Sequence, residues 1–379
     1  MRLIYPLLWA QPGRGADREQ SINTAAALAR AGVEVTLLLP RGPADPPITG
    51  DDLARYFEVE GTLRVVQRPA IAVGPPIVPS ARWLWQVFAD DEVRRAGVLY
   101  SRIPVMLGLG SRSPVPFVFD HYRPWPDDWP WLRPLIRRTA RQPRCLGFIL
   151  HSRLAADSYL RAGVPAAQVL VGHNGANLQH MAPRLDRDDA RRQLGLPIDR
   201  QIAVYAGRLR TDKGVDQILA LAAARPQVLV LLIGSEGHGA VEQQAAALPN
   251  VRVLPWQTPA ALPPYLYAAD VLLIPASSVT ARRNSTCVLP LKVYAYLAAG
   301  RPILAPAAAD TAELLVHDDT ACLVPPDDVA AAAAALDRLA TDPAYASALA
   351  ERARLRSASL TWDRRAARII DFLRARLAD

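Results

Sequence analysis

Two lysines stand apart from a background of arginine. Of the 44 Lys and Arg residues only Lys213 and Lys292 are lysines, so arginine serves wherever positive charge alone suffices. An ammonium is a compact charge on a flexible stem that settles between phosphate oxygens, whereas a planar guanidinium needs room for its fork. Both lysines fall where an apolar, strand-like run gives way to a helical pattern. Lys213 lies in Val204-Tyr-Ala-Gly-Arg-Leu-Arg-Thr-Asp-Lys-Gly214 and Lys292 in Pro290-Leu-Lys-Val-Tyr-Ala-Tyr-Leu-Ala-Ala-Gly-Arg-Pro302. In parallel α/β sheets such turns bind ligands, because helix N-termini there present free backbone N–H groups. Gly207, Arg208, Lys213 and Gly214 therefore suit a diphosphate. The turn from Ala276 through Ser285, Thr286, Cys287 and Val288 to Pro290 is rich in hydroxyls, leads to Lys292, and suits phosphate as well. A third turn, Gly234-Ser-Glu-Gly237, suits a base or ribose, or is simply a tight turn. The competing reading is two surviving surface lysines. The placement of both at strand-to-helix turns favours a shared anionic ligand.

The elements that must position these residues follow from periodicity. Apolar runs of strand length alternate with amphipathic helical patterns from end to end, the signature of parallel sheets covered by helices on both faces. Strands are expected over 2–9, 33–39, 63–67, 97–101, 116–120 and 145–150, followed by one ending near His173-Asn-Gly175. A helix is expected from Ser21 to Ala31 and another from Ala155 to Ala162. The polar stretch Met181 to Ile198 reads as an interdomain connector. Its Asp186 and Asp188 have D-x-D spacing but fit the first turn of a short helix, where acids oppose the dipole. A second series of strands is expected at 202–206, 228–233, 251–254, 271–275, 302–305 and 321–324. Asp327 and Asp328 can cap a helix through the alanine run 329–335. In the last segment Ala366, Ile369, Ile370, Leu373 and Leu377 share one helical face.

Composition narrows the class. With 379 residues, 51% hydrophobic and 21% charged, the chain has room for two globular domains. The net charge of +8 and pI near 9.7 admit a polyanion partner, yet no basic block interleaves with aromatics as a base-stacking platform does, so no nucleic-acid role is expected. Cys145, Cys287 and Cys322 have neither metal-ligand spacing nor an even disulfide count, which points to a reducing cytoplasm. The apolar start is read as a first buried strand rather than a signal peptide. No apolar segment reaches about 18 residues, the length of a membrane span. Trp125, Trp129 and Trp131 beside Arg133, Arg137, Arg138, Arg141 and Arg144, with Trp83 and Trp85 in the same half, suit either peripheral contact with the inner face of a membrane or a packed core with a wet arginine face.

Together the motifs resemble the retaining GT-B glycosyltransferases of family 4 type, in order and over essentially the whole chain. Gly207 to Gly214 resembles the family's diphosphate-gripping Gly-Arg-Leu-x-x-x-Lys-Gly. Pro290 to Pro302 resembles its Pro-Leu-Lys-x-x-Glu-Tyr-x-Ala-x-Gly-x-Pro helix, Asn174-Gly175 its Asn-Gly before the connector, and Gly13 to Gly15 its first-domain glycine loop. The resemblance implies two Rossmann-like doubly wound domains facing a central cleft. We expect an N-terminal acceptor domain over 1–185, a C-terminal nucleotide-sugar domain over 186–361, and a terminal helix at about 362–379 packed back on the first. It further implies transfer of a sugar, a hexose, from a nucleotide-diphosphate sugar to a saccharide, lipid-linked or small-molecule acceptor, with retention and with neither metal nor cofactor. Arg208, Lys213 and His121 would be catalytic. Gly13, Gly15, Gly207, Gly214, Gly234, Ser285, Thr286, Cys287, Val288 and Lys292 would hold the donor.

His121, in Asp120-His-Tyr-Arg123 after an apolar strand, occupies the place where the resemblance implies a histidine touching the sugar. As a strand-end histidine it is equally a satisfied structural residue. Arg123 could meet an acidic acceptor or pair with Asp120, and both are acceptor-site candidates. One departure is clear. The family's E-x7-E carboxylates would fall at Cys287 and Ala295, and no Asp or Glu occurs from Val271 to Ala309. Losing a hydrogen bond between ribose and a charged group weakens donor binding by about 1.5–3 kcal/mol unless compensated. That loss keeps open a second reading, a catalytically silent GT-B subunit that binds or scaffolds in glycan assembly.

Overall fold

The computed structural model describes residues 1–69, 77–237, 239–278, 289–309 and 311–378. The chain forms two compact units, Met1–Asn174 with Trp362–Asp379, and Gly175–Thr361. The first unit ends earlier than residue 185, because the polar stretch after Met181 folds onto the second. Within that stretch the helix Arg187–Leu194 buries Arg191, which donates to the carbonyls of Ala268 and Ile198 and pairs with Asp270 at 2.6 Å. Asp186 caps this helix by accepting the N–H groups of Asp188 and Asp189, as its spacing led us to expect.

The first unit holds β1 (Arg2–Pro6), β2 (Glu34–Arg41), β3 (Arg64–Pro69), β4 (Val98–Ser101), β5 (Phe117–His121), β6 (Cys145–Leu150) and β7 (Val169–Val171). They form one parallel sheet in the order β3-β2-β1-β4-β5-β6-β7. Every residue of β4, β5 and β6 is buried. Helices cover both faces, which is why these strands read as continuous apolar runs. The helix Ala16–Arg30 begins well before Ser21. Gly15 enters it extended, and Asp17 and Glu19 occupy a first turn that favours acids, so the start is marked by polar residues rather than apolar periodicity. The terminal helix Trp362–Ala378 belongs to this unit and buries Ala366, Ile369, Ile370 and Leu373. Leu377 stays 43% exposed, and Arg365 joins the buried stripe instead.

The second unit holds β8 (Ile202–Ala206), β9 (Leu229–Ser235), β10 (Val251–Pro255), β11 (Val271–Leu273), β12 (Ile303–Pro306) and β13 (Cys322–Val324), all parallel, in the order β10-β9-β8-β11-β12-β13. Strand alternation splits its core into two layers. Ile202, Val204 and Ala206 pack with Val293, Tyr296 and Leu297. Ala203 and Tyr205 pack on the other face with Val215 and Ile218. Asp328 caps the helix Val329–Thr341. In each sheet the order reverses direction, between β1 and β4 and between β8 and β11, and such switch points open crevices beyond the strands' carboxyl ends.

Among the described residues no helix is long and apolar enough to cross a membrane. The tryptophans divide: Trp83 and Trp125 are buried, whereas Trp85, Trp129 and Trp131 are exposed.

Candidate functional site

In the second unit the sequence motifs converge beyond the ends of β8, β9 and β11. Gly207 follows β8 with φ +149. A Cβ there would lie 2.6 Å from the Lys292 Nζ and 3.0 Å from the Tyr205 hydroxyl. Lys292 opens the helix Lys292–Ala299, which packs on the face of the sheet opposite Tyr205. Its side chain therefore crosses the end of β8 over Gly207, and only a residue without a side chain leaves that passage open. Four residues on along the same helix, the Tyr296 hydroxyl accepts the N–H of Ala206 at 2.8 Å, which docks the helix on β8. Gly234, the penultimate residue of β9, has φ +128, and its Cβ would strike the carbonyl of Gly207. Gly214, at the entry to the helix Val215–Ala224, lies against Ser277 and Pro275 beyond β11. Gly207, Gly234 and Lys292 are thus brought together, and Gly214 lies beyond the neighbouring strand β11.

The electrostatics of this place are those of an anion site. Lys292 makes no ion pair with any carboxylate among the described residues; its ammonium sits 3.7 Å from the centroid of the Tyr205 ring. Burial, to which the charge of Lys213 adds, pushes Lys292 down to about 7. A desolvated cation without a counter-charge is unfavourable unless a ligand supplies one. Lys213 is part-buried in the single turn Thr211–Lys213, and Arg208 is exposed beside Gly207. Ser285, Thr286, Cys287 and Val288 lie outside the described residues. Ala295, the position of the second missing carboxylate, packs into the apolar core. Gly234→Ala is expected to displace the Gly207 turn and to weaken binding of an anion beside Lys292 by about ten-fold or more, since both the backbone angle and the contact with Gly207 forbid a Cβ. Calorimetric titration against wild type checks this.

In the first unit the strand ends surround a buried polar cluster. Asp120 is fully buried, and its carboxylate accepts from the Tyr100 hydroxyl, from His151 Nε2 at 2.6 Å and from Arg365 Nη2 at 2.5 Å, with Arg102 at 3.6 Å. Burial opposes its charge, and His151, Arg365 and Arg102 together overcome that and hold Asp120 far below the usual carboxylate range. Arg365 also donates to the carbonyl of Gly172. The expectation that Asp120 faces an acceptor is corrected, because both its oxygens are committed inside the unit. Nor does Arg123 pair with it. The Arg123 guanidinium lies over Trp129, 5.9 Å from the ring centroid.

His121 is buried and ring-stacked, 4.8 Å from Tyr122 and 3.9 Å from Trp125 between centroids. Burial, then the charge of Arg102, depresses it well below the ordinary histidine range. Its Nδ1 accepts the N–H of Arg123 at 3.1 Å, which leaves the proton of the neutral ring on Nε2 as a donor. Gly15 is the N-cap of the helix Ala16–Arg30, and Gly13 lies in the loop before it, where a Cβ would meet only the mobile tip of Arg18. Sequence reasoning missed Tyr100, His151 and Arg365. Arg365 carried a signal: a charge standing in step with Trp362, Ile369 and Leu373 on an otherwise apolar stripe.

Comparison with known proteins adds independent findings. The model described as Glycosyl transferases group 1 matches residues 186–356, and that described as Glycosyltransferase Family 4 matches residues 20–180. A D-inositol 3-phosphate glycosyltransferase of Streptomyces avermitilis is 29% identical over 221 residues, 54% of this chain and 46% of the relative. The chain spans about half the length of the curated relatives it matches. Among solved structures, Anabaena HepE in complex with UDP-glucose aligns over 99% of this chain and 100% of its own, with a TM-score of 0.72 and 18% identity. Sucrose-phosphate synthase from Thermosynechococcus elongatus aligns over 100% and 99%, with a TM-score of 0.76 and 21% identity. At these identities the structures speak for the fold.

Proposed function

Because the chain belongs to the GT-B glycosyltransferases built from these two domain families, we propose that it transfers a sugar, a hexose, from a nucleotide-diphosphate sugar to a saccharide, lipid-linked or small-molecule acceptor. The observation that carries this reading is the part-buried Lys292 ammonium, without a carboxylate partner among the described residues, crossing Gly207 where three strand ends converge. Arg208, Lys213 and Lys292 neutralise the diphosphate as its bond to the sugar breaks. This is electrostatic stabilisation of a leaving group by charges already in place. Fixed cations and helix N-termini supply that charge, so the reading requires neither metal nor cofactor. His121 gives its Nε2–H to a hydroxyl of the sugar, and Arg123 stands available to an acidic acceptor. The family resemblance supports retention of configuration, with the leaving phosphate accepting the proton of the attacking hydroxyl.

Titration calorimetry with UDP, GDP, ADP and dTDP tests the reading. One nucleotide is expected to bind, and binding is expected to vanish in Lys213→Ala; no binding by any of the four sinks it. The same titration with the matching nucleotide sugar has a proton signature. Lys292 is half-neutral near pH 7 in the free protein, and a bound diphosphate favours its charged form. Proton uptake on binding is therefore expected above pH 7, and affinity falls as pH rises from about 7 towards 9. Heats measured at pH 8 in buffers of different ionisation enthalpy check the uptake, and equal heats refute it.

The absence of carboxylates at Cys287 and Ala295 favours a second reading, a silent binding subunit. Slow hydrolysis of the donor without acceptor separates the two: an enzyme leaks, and a silent subunit binds without turnover.

A further inference from the structure

Tyr205 makes two contacts at the candidate site that phosphate binding alone does not explain. It is the penultimate residue of β8 and fully buried. Its ring lies under the Lys292 ammonium at 3.7 Å, and its hydroxyl donates to the carbonyl of Arg208 at 3.1 Å. We infer that Tyr205 is the positioning residue of the donor site, its ring seating the Lys292 charge and its hydroxyl fixing the backbone of Arg208. The inference rests on the reading of both cations as phosphate ligands.

The chemistry favours a ring over the alternatives. A lysine withdrawn from water can be held by a carboxylate, but that carboxylate would neutralise it before any ligand arrived and would then compete with the diphosphate. The stretch Val271 to Ala309 supplies no Asp or Glu. An aromatic face attracts the cation through its quadrupole and carries no net charge of its own. It seats the ammonium, a contribution of about five- to thirty-fold in an equilibrium when desolvated, and leaves the whole positive charge for the ligand. Burial keeps the Tyr205 phenol protonated well above its ordinary range, with Tyr296 and Asp212 adding to the effect, so no phenolate takes over the pairing. Among the described residues, the charged group acting on Lys292 is Lys213, which repels it. The ring therefore supports the charged form of Lys292 over Gly207, where the whole of that charge stays available to phosphate.

The test uses the full chain and the nucleotide sugar that binds wild type. Tyr205→Phe keeps the ring and loses the hydroxyl. It is expected to hold affinity within about three-fold and to lower donor hydrolysis about five-fold as Arg208 loosens. Di- and trifluorinated phenylalanines at position 205 keep the shape while draining the ring of electron density. Their affinity is expected to fall stepwise, by about five-fold or more in total, and the pH midpoint of binding is expected to move down as the charged lysine loses support. A purely structural role predicts no such gradient. Affinity and midpoint unchanged across the fluorinated series overturn the inference. Unchanged affinity in Lys292→Ala overturns instead the phosphate reading beneath it.

Discussion

Replacing Arg208 and Lys213 together with alanine is expected to lower sugar transfer by at least about 10³-fold, with the unfolding transition of the protein unmoved. Charges aimed at a leaving group act in the transition state, and deleting a single such donor costs about 10²–10³ in turnover. The pair is not additive, because both act on one diphosphate. Neither residue supports the core. Arg208 is exposed, and Lys213 belongs to a single turn with no buried residue. Transfer and donor hydrolysis are the measurements, with thermal unfolding as the control. Wild-type turnover in the double variant would remove the basis for the phosphate assignment. A drop in affinity alone, with turnover at saturation intact, would place both cations in ground-state binding.

The second large effect is on stability. Arg365→Ala is expected to destabilise the first unit by about 3 kcal/mol, the lower end of the cost of breaking a buried ion pair, because Arg102 still lies 3.6 Å from Asp120. Arg365 Nη2 meets Asp120 at 2.5 Å with both side chains essentially inaccessible. Of the other partners, Tyr100 and His151 are hydrogen-bond donors without full charge at neutral pH, since burial pushes His151 down to about 4, and Arg102 at 3.6 Å supplies the remaining positive charge. Chemical unfolding should show an earlier transition for the first unit. Denaturant midpoints of the variant and wild type compared side by side check this, and an unmoved midpoint contradicts it.

The cluster also sets the sign of acid sensitivity. Asp120 stays ionised far into acid, so its contribution persists through the mildly acidic range. His151 and His121 are depressed when folded and take up protons on unfolding below about pH 6.5. The histidines' share of the stability therefore declines as pH falls from about 6.5, offset in part by Glu19, which burial raises to about 7 and whose protonation in the folded state is favoured over the same range.

Much of the site was legible in the chain because its parts are local. Gly207, Lys213 and Gly214 fall within one strand-to-helix turn, and parallel sheets place such turns at one edge whatever the details of packing. The alternation of apolar runs implied two doubly wound units, and Asp186 and Asp328 announced their helices by capping chemistry. These features depend on neighbours a few residues away. Tertiary structure decided the rest. Asp120 reads as an exposed strand-end acid until Arg365, 245 residues later, arrives on the terminal helix to neutralise it. Lys292 reads as a helix-end lysine until its stem is seen to cross Gly207 and rest on Tyr205, a residue of the opposite core layer. Periodicity says which face of an element is buried, but the partner of a buried charge lies wherever the sheets and helices bring one, and that is a property of the packed fold.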